Sequence, residues 1–107
     1  MRWSLAGTDE AMAQQLRDYV TETSWATFTG MAGLSLKTWR LRTGEWFEGD
    51  YVFATDEARQ SFQDDFTGRA EQAPISVMLG AGPVDITAFE VVAVAEGWEG
   101  FAPSQHG

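Results

Sequence analysis

Hydrophobic positions along the chain alternate between a spacing of two and a spacing of three to four. Residues 2–6, "RWSLA", set Trp3 and Leu5 against polar neighbours and predict a first strand ending at Gly7. In "TDEAMAQQLRDYVTE", residues 8–22, Thr8 or Asp9 can cap and Glu10 suits the first turn. Met12, Leu16, Tyr19 and Val20 then fall on one face, which predicts an amphipathic helix. "TSWATFTGMAG", residues 23–33, has no clean period and two glycines, and reads as a loop with room for one helical turn. Its aromatics, Trp25 and Phe28, are expected to tuck under the sheet edge.

From residue 34 the period is two again. Leu34, Leu36 and Thr38 point one way and Ser35, Lys37, Trp39 and Leu41 the other, which predicts a second strand. "RTGEWFEGD" holds the turn residues and "YVFAT" is a compact apolar run, so residues 34–55 read as a long hairpin. Thr55 or Asp56 caps the next helix, which carries Ala58, Phe62 and Phe66 at i, i+4 steps and ends near Gly68. Pro74 opens a short helix with Gly80 just past its end, and "VDITAFEVVAVA", residues 84–95, is the longest β-branched run and the last predicted strand.

Strand, helix, strand, strand, helix, short helix, strand is the split βαβ order. The predicted fold class is therefore α+β, ferredoxin-like, a four-stranded antiparallel sheet with both main helices on one face. Residues 1–107 form a single domain with a short C-terminal tail from about residue 98. Strands two to four read as apolar on both sides, with Thr87, Phe89, Val91 and Ala93 set against Ile86, Ala88, Val92 and Val94. The face left by the helices is thus expected to meet a second subunit, giving a homodimer across which Trp98 and Phe101 lie.

Composition narrows the partners. Seven basic against sixteen acidic residues give a net charge of −9, which would repel a phosphate backbone or an anionic bilayer, so neither nucleic acid nor a membrane is expected. No run reaches the length of a membrane span, and "MRWSLAG" lacks the layout of a signal peptide. The absence of cysteine removes disulfides and thiolate chemistry and fits a reducing compartment, so the cytoplasm is the expected location. His106 is the one histidine and sits in the terminal "PSQHG", Asp64 and Asp65 suit a solvated helix face, and "GAGP" at 80–83 does not lead from a strand into a helix. No triad, phosphate loop, metal centre or cofactor signature follows.

The run "GLSLKTWRL", then "YVFATDEA" opening the second main helix, then "FEVVAVAEG", resembles the small bacterial mono-oxygenases of the YdhR type. That family belongs to the ferredoxin-like dimeric α/β-barrel superfamily. The most specific piece is the Gly-Leu-x-x-Lys-x-Trp pattern matched by Gly33, Leu34, Lys37 and Trp39. The resemblance implies a homodimer whose sheets face each other and enclose a pocket for a small, largely apolar or aromatic metabolite. Its implied chemistry, by analogy with better understood barrel relatives, is cofactor-independent mono-oxygenation. Those relatives place an asparagine, a tryptophan and a tyrosine or histidine around the substrate, whereas this chain has no asparagine. A barrel that only binds or senses a metabolite, and an isomerase or cyclase on the same scaffold, are the alternatives.

Lys37, the single lysine, then has two roles open to it. It can pair with Glu90, the charge inside the last strand, or it can point into the pocket beside Trp39, where its cation would hold an enolate, phenolate or carboxylate. Lys37 and Trp39 are the candidate catalytic residues. Ser35, Leu41, Tyr51, Phe53 and Phe89 are the candidate ligand-binding ones, and Tyr51, Glu90 or a carboxylate of the hairpin loop are candidates for a base.

Overall fold

A computed structural model describes residues 1–100 of the protein, so the expectations for Phe101 and His106 fall outside the described residues. The element order is β1 (Arg2–Ser4), α1 (Glu10–Tyr19), α2 (Trp25–Phe28), β2 (Leu34–Arg42), β3 (Trp46–Phe53), α3 (Asp56–Gly68) and α4 (Pro74–Leu79). Asp9 caps α1, its Oδ1 accepting the Met12 N–H at 3.1 Å, and Thr55 caps α3, its Oγ1 accepting the Ala58 N–H at 3.1 Å. The helical path does not stop at Tyr19. It widens into a π-type turn over Val20–Ser24 and continues as α2, so most of the segment expected to be a loop is helix. Threonine hydroxyls bond back onto this path without breaking it. The hydroxyls of Thr21, Thr27 and Thr29 donate to the carbonyls of Arg17, Thr23 and Trp25 at 3.0, 3.2 and 2.6 Å.

The strands pair antiparallel in the order β1–β3–β2. Gly33 leads into β2 at φ +83°, with Ala58 of α3 only 3.1 Å from where a Cβ would stand, so both the backbone twist and the close approach call for glycine. The hairpin turns at Thr43 to Glu45 with Gly44 at φ +74°, the Glu45 N–H donating to the Arg42 carbonyl at 2.9 Å. β3 therefore begins at Trp46, and most of "RTGEWFEGD" is strand rather than turn. Its glycine and acids alternate with aromatics. Phe47, Gly49, Tyr51 and Phe53 lie on one side and Trp46, Glu48, Asp50 and Val52 on the other.

This alternation overturns the expectation that both faces of β2 and β3 are apolar. The inner face carries Trp39, Leu41 and Phe47 onto a core of Trp3, Leu5, Leu16, Phe66, Ala73 and Ile75 supplied by β1 and the helices. The outer face carries charge. Glu48 accepts from Arg2 Nε at 2.7 Å and Arg40 Nε at 3.0 Å, Arg40 also reaches Asp50 at 3.4 Å, and the Arg2 guanidinium lies 4.7 Å from the Trp46 ring centre. The Arg40 hydrogen bond, foremost, holds the Glu48 carboxyl below its ordinary value of 4.5. Because guanidiniums rather than packed core cover Glu48, the network is worth about what surface ion pairs are, ~1 kcal/mol each.

The fourth strand expected over 84–95 does not form. Arg2 and Asp85 make one antiparallel bridge, with the Val84 N–H donating to the Arg2 carbonyl at 2.8 Å and the Arg2 N–H to the Asp85 carbonyl at 2.9 Å. In this register Ile86 stands opposite Met1, so the residues that follow run past the end of β1 and meet no ladder. Residues 87–97 leave their apolar side chains in solvent, with Phe89 80% and Val92 89% exposed. The described sheet is three-stranded.

One buried hydrogen-bond chain ties α4 to β1. The Trp3 indole N–H donates to Ser76 Oγ at 3.0 Å, and the Ser76 hydroxyl donates to the Ala70 carbonyl at 2.6 Å. Trp3 also meets Phe47 and Phe66 at ring-centre distances of 5.8 and 6.2 Å, so it cannot turn to find another acceptor without leaving the core. Ser76→Ala is expected to strand both partners and lower stability by ~1–3 kcal/mol, read as a drop in the urea midpoint at unchanged slope.

Candidate functional site

Pairing Lys37 with Tyr51 and Trp39 with Gly49 sets these side chains on the inner face, toward the helices. Phe28 of α2 is laid across them, and α3 contributes Phe62 and Phe66 one turn apart. The rings form a continuous set. Phe28 meets Trp39, Tyr51 and Phe62 at 6.1, 5.7 and 6.1 Å, and Tyr51 meets Phe62 at 5.0 Å. Gly49 keeps the floor low, since a Cβ there would stand 3.2 Å from the Tyr51 ring. Between these residues lies a cavity of about 240 Å³, closed on its far side by Ala73, Pro74 and Ile75 and reached by Arg69.

The Lys37 ammonium is the polar centre of this space. Its Nζ lies 3.3 Å from the Phe28 ring centre, 4.2 Å from that of Tyr51 and 4.6 Å from that of Trp39. No carboxylate lines the cavity, and among the described residues Lys37 makes no ion pair. Burial alone brings the amine from 10.5 down to about 7. The ring faces oppose this, since a cation over an aromatic face is favoured by ~0.5–2 kcal/mol. Burial also pushes the Tyr51 phenol up, with Arg69 pulling it down and Asp50 adding to the rise, so the phenol stays protonated across the neutral range. The site thus offers an amine near neutrality, a protonated phenol, the Ser24 and Thr27 hydroxyls, and aromatic walls.

Of the residues expected at a ligand site, the structure brings together Lys37, Trp39 and Tyr51. Phe53 stacks on Tyr51 at 6.0 Å and extends the aromatic wall, and Leu41 packs into the adjoining core. Ser35 is solvent-exposed at the irregularity between Leu34 and Leu36, and Phe89 stands in solvent on the unpaired segment, so neither reaches the cavity. The side is also corrected. Lys37 and Trp39 face the helices of their own chain and not the open side of the sheet, because the outward positions belong to Arg40, Glu48 and Asp50. Pairing of Lys37 with Glu90 does not occur within the chain, where Glu90 is exposed. Phe28, Phe62 and Phe66 complete the site and were not expected there. The i, i+4 spacing of Phe62 and Phe66 was the available signal, whereas nothing in "WATFTG" placed Phe28 over a lysine.

No family model, curated protein or solved structure matches the chain. Among the described residues no helix is long and apolar enough to cross a membrane.

Burying the amine makes stability depend on pH in a defined direction. The folded chain binds the Lys37 proton less tightly than the unfolded chain. The cost is therefore complete below pH 7, and it is relieved as pH rises from about 7 toward 10.5, where the unfolded amine alone remains charged. The relief amounts to ~1.4 kcal/mol per pH unit across that window. Lys37→Met keeps the length and loses the charge. It is expected to raise the urea midpoint at pH 6 and to show a smaller advantage over the parent at pH 9. An advantage independent of pH would mean that the amine is not held near neutrality.

Proposed function

We propose that the protein binds a small, largely apolar or aromatic metabolite in the cavity around Lys37, and that it acts on it as a cofactor-independent mono-oxygenase of the kind the YdhR-like resemblance implies. The observation that carries this reading is a lone amine, without a carboxylate partner, set among ring faces in a cavity of ligand size. An electron-rich phenol or enol seated there gives its proton to the neutral amine, and the resulting ammonium stabilises the anion beside it. The apolar walls exclude water while that anion passes an electron to dioxygen. Lys37 thereby serves as base and counter-ion in turn, a role that no histidine or carboxylate among the described residues at the cavity can fill. Oxygen uptake is the decisive assay, run against a panel of phenolic and anthrone-like compounds without added cofactor. Uptake by the parent and its loss in Lys37→Met, with the fold retained by circular dichroism, is the expected result. Tight binding with no uptake by either would leave a metabolite-binding or sensing protein.

The working form in this reading is a homodimer in the cytoplasm. What supports the dimer is not the sheet face, which is charged, but the segment 86–98, whose Phe89, Val92, Val94 and Trp98 would be covered by a second copy. The bridge between Arg2 and Asp85 sends this segment past the end of β1, where its backbone is open to pair with the same segment of a second copy. In this reading that pairing supplies the fourth strand of a ferredoxin-like dimer, joined through the segment and not through the charged sheet faces. Sedimentation velocity at micromolar concentration is expected to give a dimer, and Val92→Asp a shift to monomer. A parent chain that sediments as a monomer would remove the second copy from the reading.

A further inference from the structure

We propose that Lys37 is also a nucleophile, and that the cavity captures small aromatic aldehydes or ketones as an imine on its Nζ. The inference rests on the same cavity being a ligand site but asks for a different property of the ligand, an electrophilic carbon in place of an acidic hydroxyl.

The geometry supports it in three ways. The amine lines the cavity instead of being locked into an ion pair, so its electron pair is not committed to holding a proton against a carboxylate. Second, Phe28, Tyr51 and Trp39 surround the Nζ at 3.3, 4.2 and 4.6 Å, and an aromatic carbonyl compound entering the cavity can stack on these rings with its carbonyl carbon beside the nitrogen. Third, the walls beside the amine are aromatic, and a ring stacked on them displaces water from a condensation whose by-product is water. The burial that brings the amine to about 7 makes a large share of it nucleophilic at neutral pH, as in lysines desolvated for the same purpose.

The step balances without any oxidant or reductant. The Nζ electron pair forms a C–N bond to the carbonyl carbon, and the carbonyl oxygen takes up a proton to give a carbinolamine. The C–O bond then breaks and the oxygen leaves as water, carrying both protons that the amine has lost, while the nitrogen electrons close the C=N bond. Tyr51 lines the same cavity as a protonated phenol and is the group suited to supply and recover the proton on that oxygen.

The test uses the full chain with benzaldehyde and sodium cyanoborohydride at pH 7, which fixes an imine as a stable benzyl amine. Because Lys37 is the single lysine, peptide mapping has to separate only Lys37 from the Met1 amine. Expected is one benzyl group on Lys37, added at least about tenfold faster than to the same residue in the urea-unfolded chain, where the amine is almost wholly protonated. Benzyl alcohol, which keeps the ring and lacks the carbonyl, is expected to slow the labelling by competition, and its binding is followed independently as the part of the tryptophan fluorescence quenching that Trp39→Phe removes. Quenching by benzyl alcohol together with labelling no faster than in the unfolded chain would overturn the imine and leave the ligand site standing. Absence of both binding and labelling would overturn the site and the imine together. Labelling confined to Met1 would likewise overturn it.

Discussion

β3 hydrogen-bonds to both other strands, and its alternation decides what every neighbouring residue meets. Phe47, Gly49, Tyr51 and Phe53 face the helices, so the residues opposite them on β2, among them Lys37, Trp39 and Leu41, must do so as well. The outward set of the same strand is Trp46, Glu48, Asp50 and Val52, which draws Arg2 and Arg40 to the other side of the sheet. A slip of one residue would bury Glu48 and Asp50 in the aromatic core and expose Phe47 and Tyr51. The cost of burying unpaired carboxylates makes that register inaccessible. The placement of the lysine is therefore forced by a strand to which it does not belong.

A buried ammonium without a counter-ion is a cost that a purely structural design would avoid. Methionine at the same place would fill the volume and match the rings. Three ring faces and the partial opening of the cavity offset part of the penalty, and the remainder appears as a lowered proton affinity. Arg69 adds a second cation at the mouth, tied to Asp65 at 3.0 Å. Among the described residues Lys37 is thus the cavity's cation without a carboxylate partner, in a protein whose overall charge is −9. A desolvated amine lining a cavity is a mark of a site more than of a core.

Much of the fold was legible in the sequence, for identifiable reasons. Capping chemistry narrowed the helix starts to Thr8 or Asp9 and to Thr55 or Asp56, of which Asp9 and Thr55 cap, and the short helix from Pro74 to the glycine after Leu79 followed from its punctuation. Lys37 and Trp39 were legible as a pair because strand alternation ties them together, whereas Tyr51 joins them through the hairpin register, which the turn residues did not reveal. Three things were not. Gly49 and Asp50 look like turn residues, yet here the glycine makes room for the Tyr51 ring and the aspartate faces solvent beside Arg40, which hid the start of β3 and with it the sidedness of the sheet. The helix through Phe28 was hidden because its glycines and threonines show no helical period, while Phe28 packs on Trp39, Tyr51 and Phe62, tertiary contacts that propensity does not register. The run 84–95 has strong β propensity, but propensity supplies no partner, and past Asp85 the ladder has none within the chain.

The π-type turn between α1 and α2 has one further consequence. A π-type turn holds one residue more than regular α geometry needs, and each residue of a helix turns the following side chain by ~100°. Because the widened turn absorbs that residue, α2 keeps the phase that lays the Phe28 ring centre 3.3 Å from the Lys37 nitrogen, whereas an α-helical path of the same length would turn Phe28 away by ~100°. The aromatic lid over Lys37 is thus set by helical phase as much as by composition. Straightening that turn at constant length would uncover the amine without changing the identity of any residue that lines the cavity.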